Sequence, residues 1–372
     1  MHLKDNISSF LASGAIISLD QKNAWIGYGQ SMWRRYEDLK GDQPAFYFSD
    51  FFLTKERPWL QFVQSEYLSL KAIEDILESE TISSVRSSYQ WHNPDHNHFD
   101  CVFHDLQSMF AQNILRKAVP YVFCSSKSSM SPAQLHQSLK KTISYAQSYP
   151  CHVYGFWNTT EGILGITPEL LFEYQNNKAS SLSSLADTKA DTKCSLSTMA
   201  LAGTSPKGQC LKSFMENPKE QREHQCTIDG IKESFQHLGA ITVGNTAVLE
   251  LPNLNHLLTR IEIVLDQQPQ FEDIVRLMHP TPALGAFPSK VGRKWLESYE
   301  RQVKRNYFGA PIGVLDPQKN KGKCVVGIRN VQWNNSGMKI GAGCGVIKDS
   351  IREKEWQEIQ LKLTAIKDAL DL

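Results

Sequence analysis

Four short segments, in order along the chain, carry residue types that could act together on a small anionic substrate. They are LRKAVPYVF (115–123), GITPELL (165–171), KEQREHQCTI (219–228) and EWQEIQLK (355–362). Glu220 and Glu223 are three apart, and Glu355, Glu358 and Lys362 fall at i, i+3 and i+7, so each set lies along one helical edge. If the two edges face each other, four acids converge and need a cation. Magnesium suits such a place, since it takes one or two carboxylates directly and keeps waters and substrate oxygens. Taken alone, the spacing favours solvated charged stripes. Lys117 could act as a base only in its neutral form, which burial or a neighbouring cation such as Arg116 would favour. Glu169 follows Pro168 between apolar runs, where a carboxyl could hold its proton and serve as a general acid.

Two other clusters carry less. His92, Asp95, His96 and His98 resemble a metal set, but they sit in a Pro/Asn-rich stretch without fixed periodicity, as solvated histidines do. GAGCG (341–345) lacks the strand and helix of a dinucleotide fingerprint, although such a loop lets backbone amides approach a carboxylate.

The elements that must position these groups read as a mixed α+β arrangement without regular βαβ repeats. Residues 1–90 alternate short apolar and aromatic runs with charged turns, as strands do, and Phe10–Leu19 reads as a buried strand. Phe103, Leu106, Phe110 and Ile114 mark a helix with Asp100 as its N-cap. Pro120 implies an edge or strand-start position, because its nitrogen cannot donate to a ladder. Ile228, Ile231, Phe235 and Leu238 mark a second helix; Trp356, Ile359, Leu363, Ile366 and Leu370 mark a closing one. Ala179–Thr198, with its ADTKADTK duplication, has too few apolar residues to bury much surface and is expected as a mobile loop. No 20–50-residue repeat is visible.

With 372 residues, the chain can bury a sizeable core. Forty Lys and Arg against 39 Asp and Glu leave no field to draw it to nucleic acid or acidic membranes, which points to small-molecule work. Eight cysteines without CxxC pairs fit reduced thiols in a cytoplasmic protein rather than a disulfide or zinc framework. No apolar run approaches a membrane span, and the stretch before Phe10 lacks the net positive charge of a signal peptide.

Beyond these readings, ALAGTSPKG (200–208), REH (222–224), LMHPTPALGAFP (277–288), YFGAPIG (307–313), GIRN (327–330), GAGCGV (341–346) and EWQEIQLK occur in fixed order. In that order they resemble the chorismate-utilising enzymes: isochorismate synthases, salicylate synthases, anthranilate synthase large subunits and aminodeoxychorismate synthases. The resemblance runs from about Trp91 to the C-terminus and more weakly upstream. It implies one chorismate-binding domain over 1–372, with residues 1–90 its less typical part, and two large antiparallel-rich sheets packed face to face with helices outside. It also implies that Glu223 and Glu358 ligate magnesium, Glu220 and Glu355 hold metal-bound waters, and Gly203, Thr204, His256, Arg329, Gly341, Gly343 and Lys362 bind substrate.

By the same resemblance, Lys117 matches the lysine that activates water in isochorismate and salicylate synthases, and Glu169 the acid. Ala202 stands where aminodeoxychorismate synthases carry a nucleophilic lysine; without a nucleophile no covalent intermediate forms there. The implied activity is isochorismate synthase, an isomerase feeding menaquinone or siderophore formation, with Ala283, Leu284 and Phe308 favouring it. Salicylate synthase and a non-catalytic chorismate binder are the alternatives. No glutaminase subunit is expected, and the protein would be a monomer. There are departures: KAVPYV places Val122 where the family has an arginine, GITPE replaces GASPE, and the 179–198 segment is longer than the family's.

Overall fold

The protein is represented by a computed structural model that describes residues 2–80, 89–176, 194–267 and 269–372. Its first elements are α1 (Ile7–Ala12), β1 (Gly14–Ser18), β2 (Asn23–Arg34), β3 (Ala45–Phe48), β4 (Trp59–Ser69) and α2 (Leu70–Ser79). There follow α3 (His96–Ala111), β5 (Lys117–Ala118), β6 (Tyr121–Ser126), α4 (Pro132–Ser148), β7 (His152–Trp157), β8 (Glu161–Thr167) and β9 (Leu170–Asn176). Next come β10 (Cys194–Pro206), α5 (Leu211–Met215), α6 (Pro218–Phe235), β11 (Gly239–Glu250), β12 (Leu254–Leu265), α7 (Phe271–Met278), β13 (Ala286–Phe287) and α8 (Ser289–Gln302). The last are β14 (Pro311–Asp316), β15 (Lys321–Val326), β16 (Asn330–Asn334), β17 (Gly337–Gly343), β18 (Val346–Ile347) and α9 (Arg352–Leu370).

The mixed α+β class is as expected, but the strands do not separate into two large sheets. Among the described residues one continuous antiparallel sheet of 15 strands runs β11-β12-β10-β9-β15-β14-β3-β4-β2-β1-β7-β8-β16-β17-β6, beside a small sheet, β13-β5-β18. The large sheet curls until its own strands meet face to face. Three strands lie between β3 and β7, so on a flat sheet Phe48 and Phe156 would stand four steps of about 4.8 Å apart, roughly 19 Å. Their ring centroids are 4.8 Å apart. Twist supplies the curvature, and burial of Phe48, Phe156, Ile163, Ile312 and Val325 in one core holds it closed.

Several local readings change. Phe10 lies within α1, which runs to Ala12, and the strand starts at Gly14, although all five residues of β1 are buried as expected. Asp95, not Asp100, caps α3, accepting from His98 N at 3.0 Å; Asp100 pairs with Arg352 at 2.9 Å. Leu70–Ser79, inside the stretch expected as strands, is a helix capped by Ser69. Pro120 stands just before β6, which is an edge strand of the large sheet. Of the expected 179–198 loop, residues 179–193 lie outside the described residues, while 194–198 begin β10. The histidine cluster is dispersed: His92 bridges to Ser125, His96 pairs with Asp100 and His98 stacks on Tyr299. Among the described residues no helix is long and apolar enough to cross a membrane.

Candidate active site

Helix α6 begins where Asn217 caps it, its side chain accepting from the backbone N–H groups of Lys219 and Glu220, with Pro218 in the first turn. Ile228, Ile231 and Phe235 bury one face, which leaves Glu220 and Glu223 along the edge beside β10. His224 fixes that docking. Its Nδ1 lies 3.1 Å from Ala202 O and its Nε2 2.7 Å from Thr259 Oγ1, and burial pushes the imidazole down to about 4, so it bridges as a neutral ring. Helix α9 buries Ile359, Leu363, Ile366 and Leu370, leaving Glu355 and Glu358 along its own edge.

The two edges meet. Lys219, which the sequence reading passed over, lies between them. Its Nζ is 2.9 Å from Glu223 Oε2, 3.1 Å from Glu355 Oε1 and 3.3 Å from Glu220 Oε1. Lys219 lies four residues before Glu223 on the same stripe, so its participation was legible as an i,i+4 pair but looked like ordinary surface pairing. Glu358 pairs with Lys362 at 2.7 Å, and the Lys362 ammonium also donates to Gly343 O at 2.8 Å. Glu355 is 3 % exposed, and its Oε2 has no hydrogen-bond partner among the described residues.

Charge in this cradle is unevenly held. Burial pushes the Glu223 carboxyl up, but Lys219 and Lys117 beside it outweigh that and hold it below the usual carboxylate range. Glu220 and Glu355 are pushed above it, by burial first and then by neighbouring carboxylates. Among the described residues no three His, Cys, Asp or Glu side chains stand close enough to ligate one ion as they are. The donor chemistry nevertheless fits a hard divalent cation: four carboxylates from two facing helices, three of them around one ammonium and one with an unpartnered buried oxygen.

Backbone geometry aims these acids. β10 is bulged between Ala202 and Thr204, with Gly203 at φ +80°, and the freed Thr204 N–H donates to Glu220 Oε2 at 2.8 Å. Gly345 is required on the other side: a Cβ there would lie 1.8 Å from Glu223 Oε1.

Lys117 is fully buried, flanked by β13 and β18. Its Nζ is 3.3 Å from Glu223 Oε1 and 3.4 Å from Thr227 Oγ1. The expected help from Arg116 is absent, because that side chain turns outward over Phe287 towards Asp229. Lys117 stands behind Gly345, where a Cβ would be 3.0 Å from its Cε. Val122, in place of the family arginine, is buried opposite Ala342 in the β17–β6 ladder.

Glu169 sits in the two-residue break between β8 and β9, 4 % exposed, its N–H donating to Thr167 Oγ1 and its C=O accepting from Val326 N. Burial pushes its carboxyl up to about 7, against the pull of Lys117, Lys362 and Arg329. Arg329 adopts φ 54°, a strained conformation for a non-glycine residue, and places Nη2 2.8 Å from His256 Nε2. Burial and Arg329 hold His256 far below the usual imidazole range, so Nε2 accepts from the guanidinium and Nδ1–H faces Gly203 O at 3.3 Å.

One cavity collects most of the expected residues. Glu169, Gly203, Thr204, Glu223, His256, Arg329, Gly341, Gly343 and Lys362 all line it, with Ala202, Ala283, Leu284 and Phe308 as apolar wall. Lys117 does not reach its surface, and Glu220, Glu355 and Glu358 line a second cavity on the other side of the cradle, together with Lys219.

The chorismate binding enzyme family matches residues 42–371. The chain belongs to that family. The match also reaches upstream of Trp91, into the part expected to be less typical. Over 189 residues it is 28 % identical to the salicylate biosynthesis isochorismate synthase of Pseudomonas aeruginosa, covering 46 % of this chain and 38 % of the relative. It is 30 % identical over 166 residues to isochorismate synthase MenF of Bacillus subtilis, covering 42 % of this chain and 33 % of that protein. Isochorismate synthase EntC of Escherichia coli is 26 % identical over 212 residues, covering 56 % of this chain and 51 % of its own length. The chain thus spans about half or less of the length of these relatives. In fold it is similar to the menaquinone-specific isochorismate synthase MenF from Escherichia coli, with TM-score 0.76 and 17 % identity over 100 % of this chain and 91 % of that one. It is also similar to anthranilate synthase component I from Streptococcus pneumoniae, with TM-score 0.67 and 15 % identity over 90 % of this chain and 82 % of that one.

Proposed function

We propose that this protein is a magnesium-dependent isochorismate synthase, converting chorismate to isochorismate. The observation that carries the reading is the buried carboxyl of Glu169, pushed up to about 7, in the same cavity as Arg329, Lys362 and Glu223 of the acid cradle. Family membership and relatives named as isochorismate synthases support it. Ala202 supports water over an enzyme-bound amine as nucleophile, since its methyl can form no covalent link.

In this reading Arg329, Lys362 and the amides near Gly341 and Gly343 hold the substrate's carboxylates. Glu223 and Glu358 would ligate magnesium directly, with Glu220 and Glu355 acting through waters; the bound ion would fix the ring carboxylate and polarise the ring. Lys117 in its neutral form takes a proton from water as the water oxygen bonds to ring carbon 2. The ring double bonds shift, the C4–O bond breaks, and Glu169 delivers its proton to the departing hydroxyl. One water is consumed and one released, so the exchange is reversible with little net driving force. The product would feed menaquinone or catechol siderophore formation.

The test is to incubate purified protein with chorismate and magnesium and separate the products. Isochorismate is expected, with no turnover in EDTA. Salicylate with pyruvate would move the assignment to a salicylate synthase. Binding without turnover by folded protein would leave only a chorismate binder. In a second arm Lys117→Ala should lose water addition while retaining substrate binding; activity within a few-fold of wild type would remove Lys117 from the base role.

A further inference from the structure

We propose that Lys219 is a tethered cation that occupies the carboxylate cradle between metal-binding events and is displaced from it when the divalent ion enters. The inference rests on the metal reading above and concerns what the metal must exchange with.

Both oxygens of Glu223 are already engaged by ammonium groups: Oε1 by Lys117 at 3.3 Å and Oε2 by Lys219 at 2.9 Å. Magnesium bonds oxygen at about 2.0–2.1 Å and its charge repels a cation held among the same carboxylates, so its entry works against this arrangement. If one lysine gives way, three features single out Lys219. It alone contacts acids from both helices, touching Glu220 and Glu223 on α6 and Glu355 on α9. Lys117 is fully buried between strands, and Lys362 is tied to Gly343 O as well as Glu358. Lys219 also lines the second cavity, together with Asn217, Asp349, Ser350 and Lys354, which gives its stem a place to withdraw to without crossing the substrate cavity.

Charge points the same way. Four carboxylates are served by three ammonium groups, Lys117, Lys219 and Lys362. With Lys117 protonated, the deficit is one charge, and replacing the single charge of Lys219 by a divalent ion removes it, four against four. The unpartnered Oε2 of buried Glu355 marks where the present arrangement falls short, since a buried carboxylate oxygen without a donor is costly. Occupancy by a tethered cation would keep the facing helices together when metal is scarce and would make metal binding an exchange rather than an addition.

The experiment uses the full chain in two formats. Binding of Mn²⁺, as a magnetic probe of the magnesium site, is titrated into wild type and Lys219→Met, and thermal unfolding is followed for both with EDTA and with metal. Lys219→Met is expected to bind Mn²⁺ at least tenfold more tightly, to melt lower than wild type in EDTA, and to recover on metal addition. Because the variant could fail to fold, wild type is also trace-acetylated with acetic anhydride. Modification of Lys219, read by peptide mass, should rise several-fold with Mg²⁺ over EDTA while distant lysines stay unchanged. Metal binding with unchanged affinity in the variant, or unchanged or reduced Lys219 acetylation in wild type, would overturn the exchange role alone. Failure of either protein to bind Mn²⁺ would overturn the metal reading and this inference with it.

Discussion

At the scale of single residues, the acids and the lysines were legible very unequally. Helical spacing put Glu220, Glu223, Glu355 and Glu358 on shared edges but favoured solvated stripes; the family resemblance gave them a site, and the facing of their edges is what the packing adds. Lys219 went unnoticed because an i,i+4 Lys–Glu pair is the ordinary dress of a solvated helix, and only tertiary contact with Glu355 distinguishes it. Arg116 shows the opposite error: it stands just before β5, and its side chain turns over Phe287 towards Asp229, so adjacency in sequence brought no neighbouring cation to Lys117. Glu169 supports a pH prediction. Its folded carboxyl titrates near 7, raised by burial, and a general acid works only while protonated. Loss of this proton should therefore lower turnover roughly tenfold per pH unit above about pH 7. Glu169→Gln should lose about 10²–10⁴-fold in kcat and lose this alkaline limb from its residual activity. A limb that persists unchanged in Glu169→Gln would assign the titration to another group.

At the scale of elements, α3, α6 and α9 were readable from their apolar stripes, whereas α2, despite its buried Leu70, Ile73 and Leu77, lies in a stretch that reads as strands, and α4 has its stripe interrupted by polar residues. Helix α4 escaped because Gln134, His136, Ser138 and Thr142 occupy its buried face. They find partners where they lie: Gln134 donates to Asp371 O, His136 Nε2 lies 2.8 Å from Leu77 O, and Ser138 donates to Leu370 O. A periodicity count scores such residues as exposed, although two of those contacts anchor the C-terminal end of α9. That helix carries both Glu355 and Glu358, so its seating and the cradle stand or fall together. Ile359, fully buried, next in sequence to Glu358 and one turn beyond Glu355, is the position to perturb. Ile359→Ala should lower unfolding stability by about 2–5 kcal/mol in denaturant titration, from lost burial plus the cavity left behind. Metal affinity should weaken beyond wild type as well. An unaltered affinity at that loss of stability would mean that the cradle is held by α6 alone.

At the scale of the whole molecule, the sequence disclosed the class of fold but not its closure. Runs such as AFYF and HVYGFW read as strands, yet nothing local says that β3 and β7, more than a hundred residues apart, will press together. Even family resemblance suggested two sheets, where one ladder of pairing passes through all fifteen strands. The reason is physical: twist accumulates over many strands, and only burial across the curl fixes where it ends. Phe156 is that fixing point, packed against Phe48 at 4.8 Å, Trp33 at 5.3 Å and Tyr307 at 5.5 Å. Phe156→Ala should cost about 3–5 kcal/mol. If closure is a property of the whole sheet, the loss will not stay in β7. Amide exchange should then accelerate together in β3, β4, β1 and β7, since residues of all four share that core. The cavity residues Glu169 and Arg329, carried by strands and junctions beyond β7, should loosen in step, so the variant should lose substrate affinity in parallel with exchange protection. Acceleration confined to β7, with β3 protected as in wild type, would show that the two regions are stabilised separately and that the contact is incidental to closure.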